Sequence, residues 1–411
     1  MALELSDTIV AGGPGDFMTV RHLVLKGSNR DIGYALAKLA RDELGVRKVP
    51  WTDPLMTRAQ RFFVERNWPS LFERMAGAAD AYDADLSDDA LDFSFLAYDM
   101  GVPGCSCVYY PSSTTVDGHS VVSRNFDYTI GSHADLPVGS GALAHLASTE
   151  NSDAPRPFCG RPFLMELHPD TGYATLGMCT FDLLGQLTDG INSQGLCVAL
   201  LNDGETAAGA HFQPFGTLGV GLTEGQVPRF LLENCANIEE AKTALLAVKQ
   251  YYVAGPCHYL VGDRSGRSFV WEYSSIRNRH HIIERENVPL AVTNHLLHDH
   301  VCVASEEATE NSRRRLAMVE ARLAQRGSRV SKSQIRDINQ CVQATDAIGA
   351  GQYRTQTQPG RTLWYAYYDL DALDVDIEFY LGETQHDIRR STARNFRLET
   401  TQSSCSNFLH G

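Results

Sequence analysis

Cysteines are few and irregularly placed: ten in 411 residues, with no paired Cys-x-x-Cys spacing, which excludes a disulfide scaffold and a zinc-ribbon pattern. Continuous apolar runs are also missing. Nowhere do 18 uncharged apolar residues follow one another, and the opening MALELSDTIVAGG carries acidic residues without an apolar core, so neither a membrane span nor a secretory signal is read. Positive charge is short as well. Thirty-six Lys and Arg stand against fifty Asp and Glu, a formal net charge of −14, and the single compact basic run is Arg313-Arg314-Arg315. A phosphate-binding footprint needs clustered cations, so nucleic acid and anionic membrane are excluded as partners. No Gly-x-Gly-x-x-Gly or Walker-type loop occurs, and repeats and low-complexity tracts are absent. The expectation is a cytoplasmic, enzyme-sized globular protein.

What is present is ordinary in bulk, 43% apolar and 21% charged, and informative in order. The first hundred residues read as helical. Ser28 or Asn29 can cap RDIGYALAKLARDEL, which stops at Gly45; a second helical stretch runs from about residue 57 to 82, interrupted near Pro69; and DDALDFSFLAYDM closes the region before GVPG breaks it. From Cys105 the pattern turns strand-like. CVYYPSSTTVDGHSVVSRNFDY reads as a hairpin around Asp117-Gly118, and FLMELHP, GYATLGMCTF and GLCVALLN as further strands, with Asp189-Gly190 and Gln194-Gly195 marking turns. Residues 138–155 read as a long surface loop. A helical pair follows over 226–250, with Asn237 capping its second member. CHYLVGDRSGRSFVWEYS predicts a hairpin turning at Arg264-Ser265-Gly266, PLAVTNHLL a strand end, SRRRLAMVEARLAQ a helix, and TLWYAYYDLDALDVDIEFYLG two last strands. Runs of strands separated by helical pairs argue for antiparallel sheets covered by helices, an α+β protein, rather than a parallel nucleotide-binding sheet.

One residue gathers chemistry. Cys105 follows a Pro-Gly, opens the first strand, and the hairpin returns Arg124 and Asp127 toward that strand's start. A thiol beside a cation and a carboxylate is a candidate nucleophile. Gly104-Cys105-Ser106, with Arg124-Asn125-Phe126-Asp127 following, resembles the nucleophile and Arg-Asn-x-Asp signature of the N-terminal-nucleophile hydrolases, specifically the penicillin acyltransferase-like branch related to choloylglycine hydrolases and penicillin V acylases. Asp189-Gly190-Ile191-Asn192, Gly195-Leu196 and Leu201-Asn202 are similar to the segment ending in that superfamily's oxyanion residue. Thr293-Asn294-His295 resembles its Thr-Asn motif, Ser312-x-x-Arg315-Leu316 its Ser-x-x-Arg helix start, and the leader 27–33 its acyltransferase-type prosegment. Two departures stand out: Cys107 occupies a position where Ser or Thr is usual, and Asn202 is followed by Asp-Gly rather than an aromatic.

The resemblance implies a four-layer αββα fold of two packed antiparallel sheets, a helical prosegment over 1–104 and a catalytic part over 105–411. It implies self-cleavage between Gly104 and Cys105, in which the thiol attacks the Gly104 carbonyl and water resolves the resulting ester. The exposed α-amine, with an ordinary pKa near ~8, then serves as base. Asp127 orients the amine, Arg124 favours the thiolate, the Asn202 N–H and the Asn294 amide receive the oxyanion, and Arg315 supports the site. The implied reaction is hydrolysis or transfer at a linear, non-peptide amide of an N-acyl small molecule through an acyl-thioester, without metal or organic cofactor. The partners are that acyl donor and the chain's own two fragments; a homo-oligomer stays open. Other readings remain: an unprocessed papain-like thiol hydrolase pairing Cys105 with His258 or His295, and a binding protein that keeps the fold without cleaving. His295, His298, Asp299 and His300 also invite a metal reading, although they lack the two-histidine helical spacing around a glutamate.

Overall fold

The computed structural model describes residues 2–47, 53–99, 104–132, 157–203, 219–253, 255–274, 279–298, 306–345, 359–384 and 387–400. The predicted loop at 138–155 lies outside them.

The N-terminal segment departs from the helical expectation at once. It starts with two strands, β1 (Glu4–Gly12) and β2 (Thr19–Gly27), paired antiparallel. In β2, Val20, Leu23 and Leu25 are buried on two faces, a pattern that lacks clean alternation and hides a strand from a search by period. Three helices follow: α1 (Asn29–Leu44), α2 (Pro54–Asn67) and α3 (Pro69–Ala81). Ser28 caps α1, its side chain accepting from the Asp31 N–H, and Gly45 ends it at φ 71°. Pro69 occupies the first turn of α3, which explains the break at Trp68. The stretch 82–99 is not helical; it is irregular, tied down where the Asp182 carboxylate accepts the Leu96, Leu184 and Gly185 N–H groups.

The predicted first hairpin is β3 (Gly104–Tyr110) and β4 (Val121–Thr129), with Gly118 at φ 73° in the connection. Then come β5 (Phe163–Pro169), β6 (Thr175–Cys179), β7 (Asp189–Asn192) and β8 (Cys197–Asn202). Asp189-Gly190 is therefore strand, not turn. Gly190 sits opposite Gly177, and a Cβ there would press on the Gly177 Cα at 2.9 Å; close packing of two backbones, not a bend, requires this glycine. Gln194-Gly195 does turn, with Gly195 at φ 83°.

The helical pair is α4 (Gln226–Asn234) and α5 (Ile238–Ala247), capped by the Asn237 side chain. It precedes β9 (Cys257–Gly262), β10 (Arg267–Ser274), β11 (Arg279–Glu286) and β12 (Leu290–Val292). Helices α6 (Glu306–Ala324) and α7 (Lys332–Gln340) lead to β13 (Gly360–Asp369), β14 (Asp374–Glu383), β15 (Ile388–Arg390) and β16 (Arg394–Arg397).

Two sheets result. One runs β1-β2-β5-β6-β7-β8-β9-β10-β11; the other runs β12-β3-β4-β13-β14-β15, with β16 on β14. Among the described residues the named strands pair antiparallel except β2 with β5, where the N-terminal segment joins the large sheet. Leu164, Met178, Leu201, Leu260, Phe126, Trp364 and Ile377 fill the space between the sheets. Residues of α1, α3, α4 and α5 cover the outer face of the large sheet, and Val319, Ile335 and Ile338 that of the smaller one. The layers are αββα, as expected.

The N-terminal segment is built into this core. Gly33 of α1 and Gly77 of α3 let the helices touch, since a Cβ at either would collide with the carbonyl of Arg74 or Arg30. Arg74, 1% exposed, forms a bidentate ion pair with Glu233 of α4, which also accepts from Trp68 Nε1 at 3.0 Å. Breaking a buried pair from one side leaves the other charge under-compensated, and Glu233 would keep Arg229, at 3.7 Å, as its one cation among the described residues. Arg74→Met is accordingly expected to lower unfolding stability by about 3–5 kcal/mol, read as a shift of the urea midpoint.

Candidate active site

Cys105 sits near the start of β3, between β12 and β4 in the smaller sheet, and its side chain faces β8 of the larger one. The register places Gly104 opposite Asp127 and Cys107 opposite both Arg124 and Val292, so that Asn294, two residues beyond Val292, comes alongside Cys105. The hairpin and the end of β12 thus bring together residues 189 positions apart.

The thiol has two polar neighbours: Arg124 Nη2 donates to Sγ at 3.1 Å, and Sγ lies 3.7 Å from the Leu200 carbonyl. Arg124 is wholly buried, held by the Thr188 carbonyl at 2.9 Å and facing Asp189 at 3.6 Å. Asp189 in turn accepts from Tyr368 Oη and Thr188 Oγ1, each at 2.7 Å. Burial pushes the Cys105 thiol up to about 12, and the Arg124 charge opposes that rise.

Asn294 is the hub on the other side. Its Oδ1 accepts from the Cys105 N–H at 2.9 Å and from Arg315 Nη2 at 2.7 Å, and its Nδ2 donates to the Asn202 carbonyl at 2.9 Å. These partners fix the amide's orientation, since a guanidinium can only donate and a carbonyl only accept. Arg315 Nη1 reaches the Cys105 carbonyl at 2.6 Å and lies 3.9 Å from Asp127. Of the three consecutive arginines, 313 and 314 are exposed and only Arg315 turns inward. Asp127 is buried, accepts from Thr362 Oγ1 at 2.5 Å, and is raised above the ordinary carboxyl range by burial, against the pull of Arg315. Asn202 sends its Nδ2 to the Pro256 carbonyl. All six predicted site residues and Gly104 therefore converge on one buried locus. The Cys105 N–H, however, goes to Asn294 rather than to Asp127.

Several contributors were not singled out from the sequence. Asp189 lies in the segment that resembles the family's run toward Asn202, but its Asp-Gly composition signals a turn, and neither reading gives it a partner in Arg124. Thr362, Thr188 and Tyr368 carry no local signal; only the fold brings them in. Ser312, quoted as the start of the Ser-x-x-Arg segment, accepts from the Asn294 N–H at 2.7 Å and lies 2.8 Å from His295 Nδ1. The histidines do not serve the thiol. His258 Nε2 donates to the Thr293 carbonyl at 2.7 Å with Nδ1 facing Glu272, and His298 Nδ1 also faces Glu272. Among the described residues no group of three or more His, Cys, Asp or Glu side chains is gathered to hold a metal ion; Asp299 and His300 lie outside them. Cys107, the unusual neighbour, is buried beside the site, and burial raises its thiol too.

Two packed sheets between helical layers, with a cysteine at the head of an inner strand, are the four-layer arrangement that the resemblance to N-terminal-nucleophile hydrolases implies. The chain belongs to the acyl-coenzyme A:6-aminopenicillanic acid acyl-transferase family, whose sequence model matches residues 148–385, a stretch that holds Asn202, Asn294 and Arg315 and begins after Cys105. It is similar to the conjugated bile acid hydrolase of Clostridium perfringens, at 13% identity and a TM-score of 0.44 over 74% of this chain and 98% of that one. It is also similar to penicillin V acylase of Agrobacterium tumefaciens, at 15% identity and a TM-score of 0.42 over 67% and 83%. Likeness at that level transfers nothing about substrate. No curated protein sequence matches the chain. Among the described residues no helix is long and apolar enough to cross a membrane.

Proposed function

We propose that the chain cuts itself between Gly104 and Cys105 and that the freed Cys105 then takes an acyl group from a linear, non-peptide N-acyl amide, passing it to water or to an amine. The observation that carries this is the double hold on one residue: Arg124 on Sγ and Asn294 on the backbone nitrogen that cleavage would turn into an α-amine.

In the cut, a C–S bond forms at the Gly104 carbonyl, the C–N bond to Cys105 breaks, and the thiol proton moves to the departing nitrogen. Water then releases a Gly104 carboxylate and the thiol. In turnover the α-amine takes the thiol proton, sulfur adds to the substrate carbonyl, and the amine proton leaves with the substrate nitrogen. The second hydrogen of Asn294 Nδ2 and the Asn202 N–H are the donors assigned to the oxyanion; one such donor is typically worth about 3–4 kcal/mol of barrier. Asp127 and Arg315 hold the strand end in place. The thiol-hydrolase alternative lacks support, because His258 turns both nitrogens elsewhere, His295 Nδ1 faces the Ser312 and Thr293 hydroxyls, and Cys105 Sγ meets Arg124 and the Leu200 carbonyl. Eight free cysteines among the described residues support a reducing, cytoplasmic location.

Intact-mass measurement tests the reading: two fragments split before Cys105, the second gaining a hydroxylamine-labile acyl mass when given an N-acyl amide. A single chain that gains none would sink it. The pH dependence has a definite sign. A thiol raised to about 12 is almost all neutral near pH 7, and its thiolate share grows about tenfold per pH unit below that value, so cutting of freshly translated chain should accelerate between pH 6.5 and 9. A flat profile would remove the thiolate from the first step.

A further inference from the structure

Asn294 can serve an oxyanion only if the peptide unit before it is fixed, and that unit is gripped from both ends. Its N–H donates to Ser312 Oγ, while the Thr293 carbonyl accepts from His258 Nε2 at 2.7 Å. His258, wholly buried on β9, turns Nδ1 to Glu272 Oε1 at 3.4 Å. A carbonyl and a carboxylate both only accept, so the imidazolium form, with a proton on each ring nitrogen, satisfies both contacts. Burial, the largest single influence, opposes that charge; Glu272, Asp203 and the Thr293 carbonyl together outweigh it and leave the His258 pKa above the ordinary value.

Glu272, 0% exposed on β10, also accepts the Leu297 N–H at 2.7 Å, the His298 N–H at 3.1 Å and His298 Nδ1 at 2.5 Å. The segment 293–298 therefore hangs from one carboxylate twice, directly at Leu297 and His298 and through His258 at Thr293. Asn294 lies between. We propose that the Glu272–His258 pair is a positioning device that sets the angle of the Asn294 amide for the developing oxyanion, an inference that rests on the function proposed above. A buried ion pair is a weak source of net stability, since apolar residues of similar volume often do as well or better. What it supplies here is direction, because two fixed donors and a carboxylate determine where each backbone group of the segment lies.

The other titratable groups packed around the pair fit this role. His281 of β11, opposite Glu272 in register, stacks on His298 at 3.6 Å between centroids. Asp203 adds negative charge near His258. His295, pushed down to about 4 by burial and then by the nearby His258 and Arg313 charges, stays neutral and brings no second cation into the segment.

Two reactions of the same thiol separate positioning from general damage. With 4-nitrophenyl acetate, sulfur adds to the carbonyl, an oxyanion forms, the C–O bond breaks and nitrophenolate leaves. With iodoacetamide, sulfur displaces iodide and no oxyanion arises. In the full-length protein, Glu272→Gln is expected to slow acylation about tenfold or more while alkylation of Cys105 stays within about twofold of wild type. His258→Gln, which keeps a donor but no charge, should show the same split and serves where E272Q does not accumulate. Equal loss in both reactions, or loss in neither, overturns the inference. A wild type whose nitrophenolate burst is unchanged by Cys105→Ala overturns the functional reading, and this inference with it.

Discussion

Cys105→Ala is expected to yield one uncut chain with no turnover of N-acyl amides, where the wild type yields two fragments. Removing the group on which a covalent mechanism depends costs on the order of 10⁴ or more in rate, since every later step needs the acyl-sulfur bond. Cys105→Ser tests the same point more sharply. It keeps the shape at a site whose burial already raises a thiol to about 12, and a hydroxyl, a poorer acid and weaker nucleophile, fares worse in that surrounding; cutting should be very slow or absent. In the wild type the fragments should stay together without denaturant. The leader contributes two strands of the large sheet and the Arg74 half of a buried ion pair, so its release would expose the β5 edge and take from Glu233 its bidentate partner, leaving it Arg229 at 3.7 Å. Size-exclusion chromatography beside denaturing mass spectrometry reads both outcomes. A leader that separates natively would contradict the packing, and a Cys105→Ala chain that still splits would end the nucleophile assignment.

The part of this site legible in the sequence is the part with short-range rules. A hairpin with a turn at Gly118 brings Asp127 back to Gly104, and the helix over SRRRLAMVEARLAQ carries Arg315, the one arginine of the three that turns inward. Resemblance to the family's ordered motifs ties Asn202, Asn294 and Arg315 to Cys105, and nothing local says that Asn294 holds the Cys105 nitrogen. Three kinds of feature escaped. Strands β1 and β2 lie in a segment whose clearest periodicity is helical, and a parallel join between β2 and β5 leaves no turn signal. Asp189-Gly190 has turn composition, yet the glycine is needed for backbone approach and the aspartate for charge. Glu272, in WEY, looks like an ordinary polar position in an alternating strand. Its role depends on His258 and His298, 14 and 26 residues away, which only the sheet and the return from β12 bring to it.

Arg124 carries two duties, and a pair of variants should pull them apart. Arg124→Met removes the cation 3.1 Å from Sγ and at the same time leaves Asp189, 0% exposed, with only the hydroxyls of Tyr368 and Thr188. An uncompensated buried carboxylate costs about 3–5 kcal/mol, so the urea midpoint should fall clearly. The thiol, freed of the one charge drawing its pKa down most, should alkylate more slowly at every pH below its pKa and acylate slower still, by on the order of 10²-fold. Arg124→Met with Asp189→Asn removes the stranded charge along with the cation. Stability should recover most of its loss, because the amide oxygen can accept from one of these hydroxyls while its NH2 donates to the oxygen of the other, without a net charge to bury. Reactivity should not recover, because the cation at sulfur is still missing. If the double variant regains both, Arg124 acts on the reaction only through the integrity of the core. If it regains stability alone, the guanidinium acts directly on Cys105, and Asp189 is the counter-charge that keeps it there.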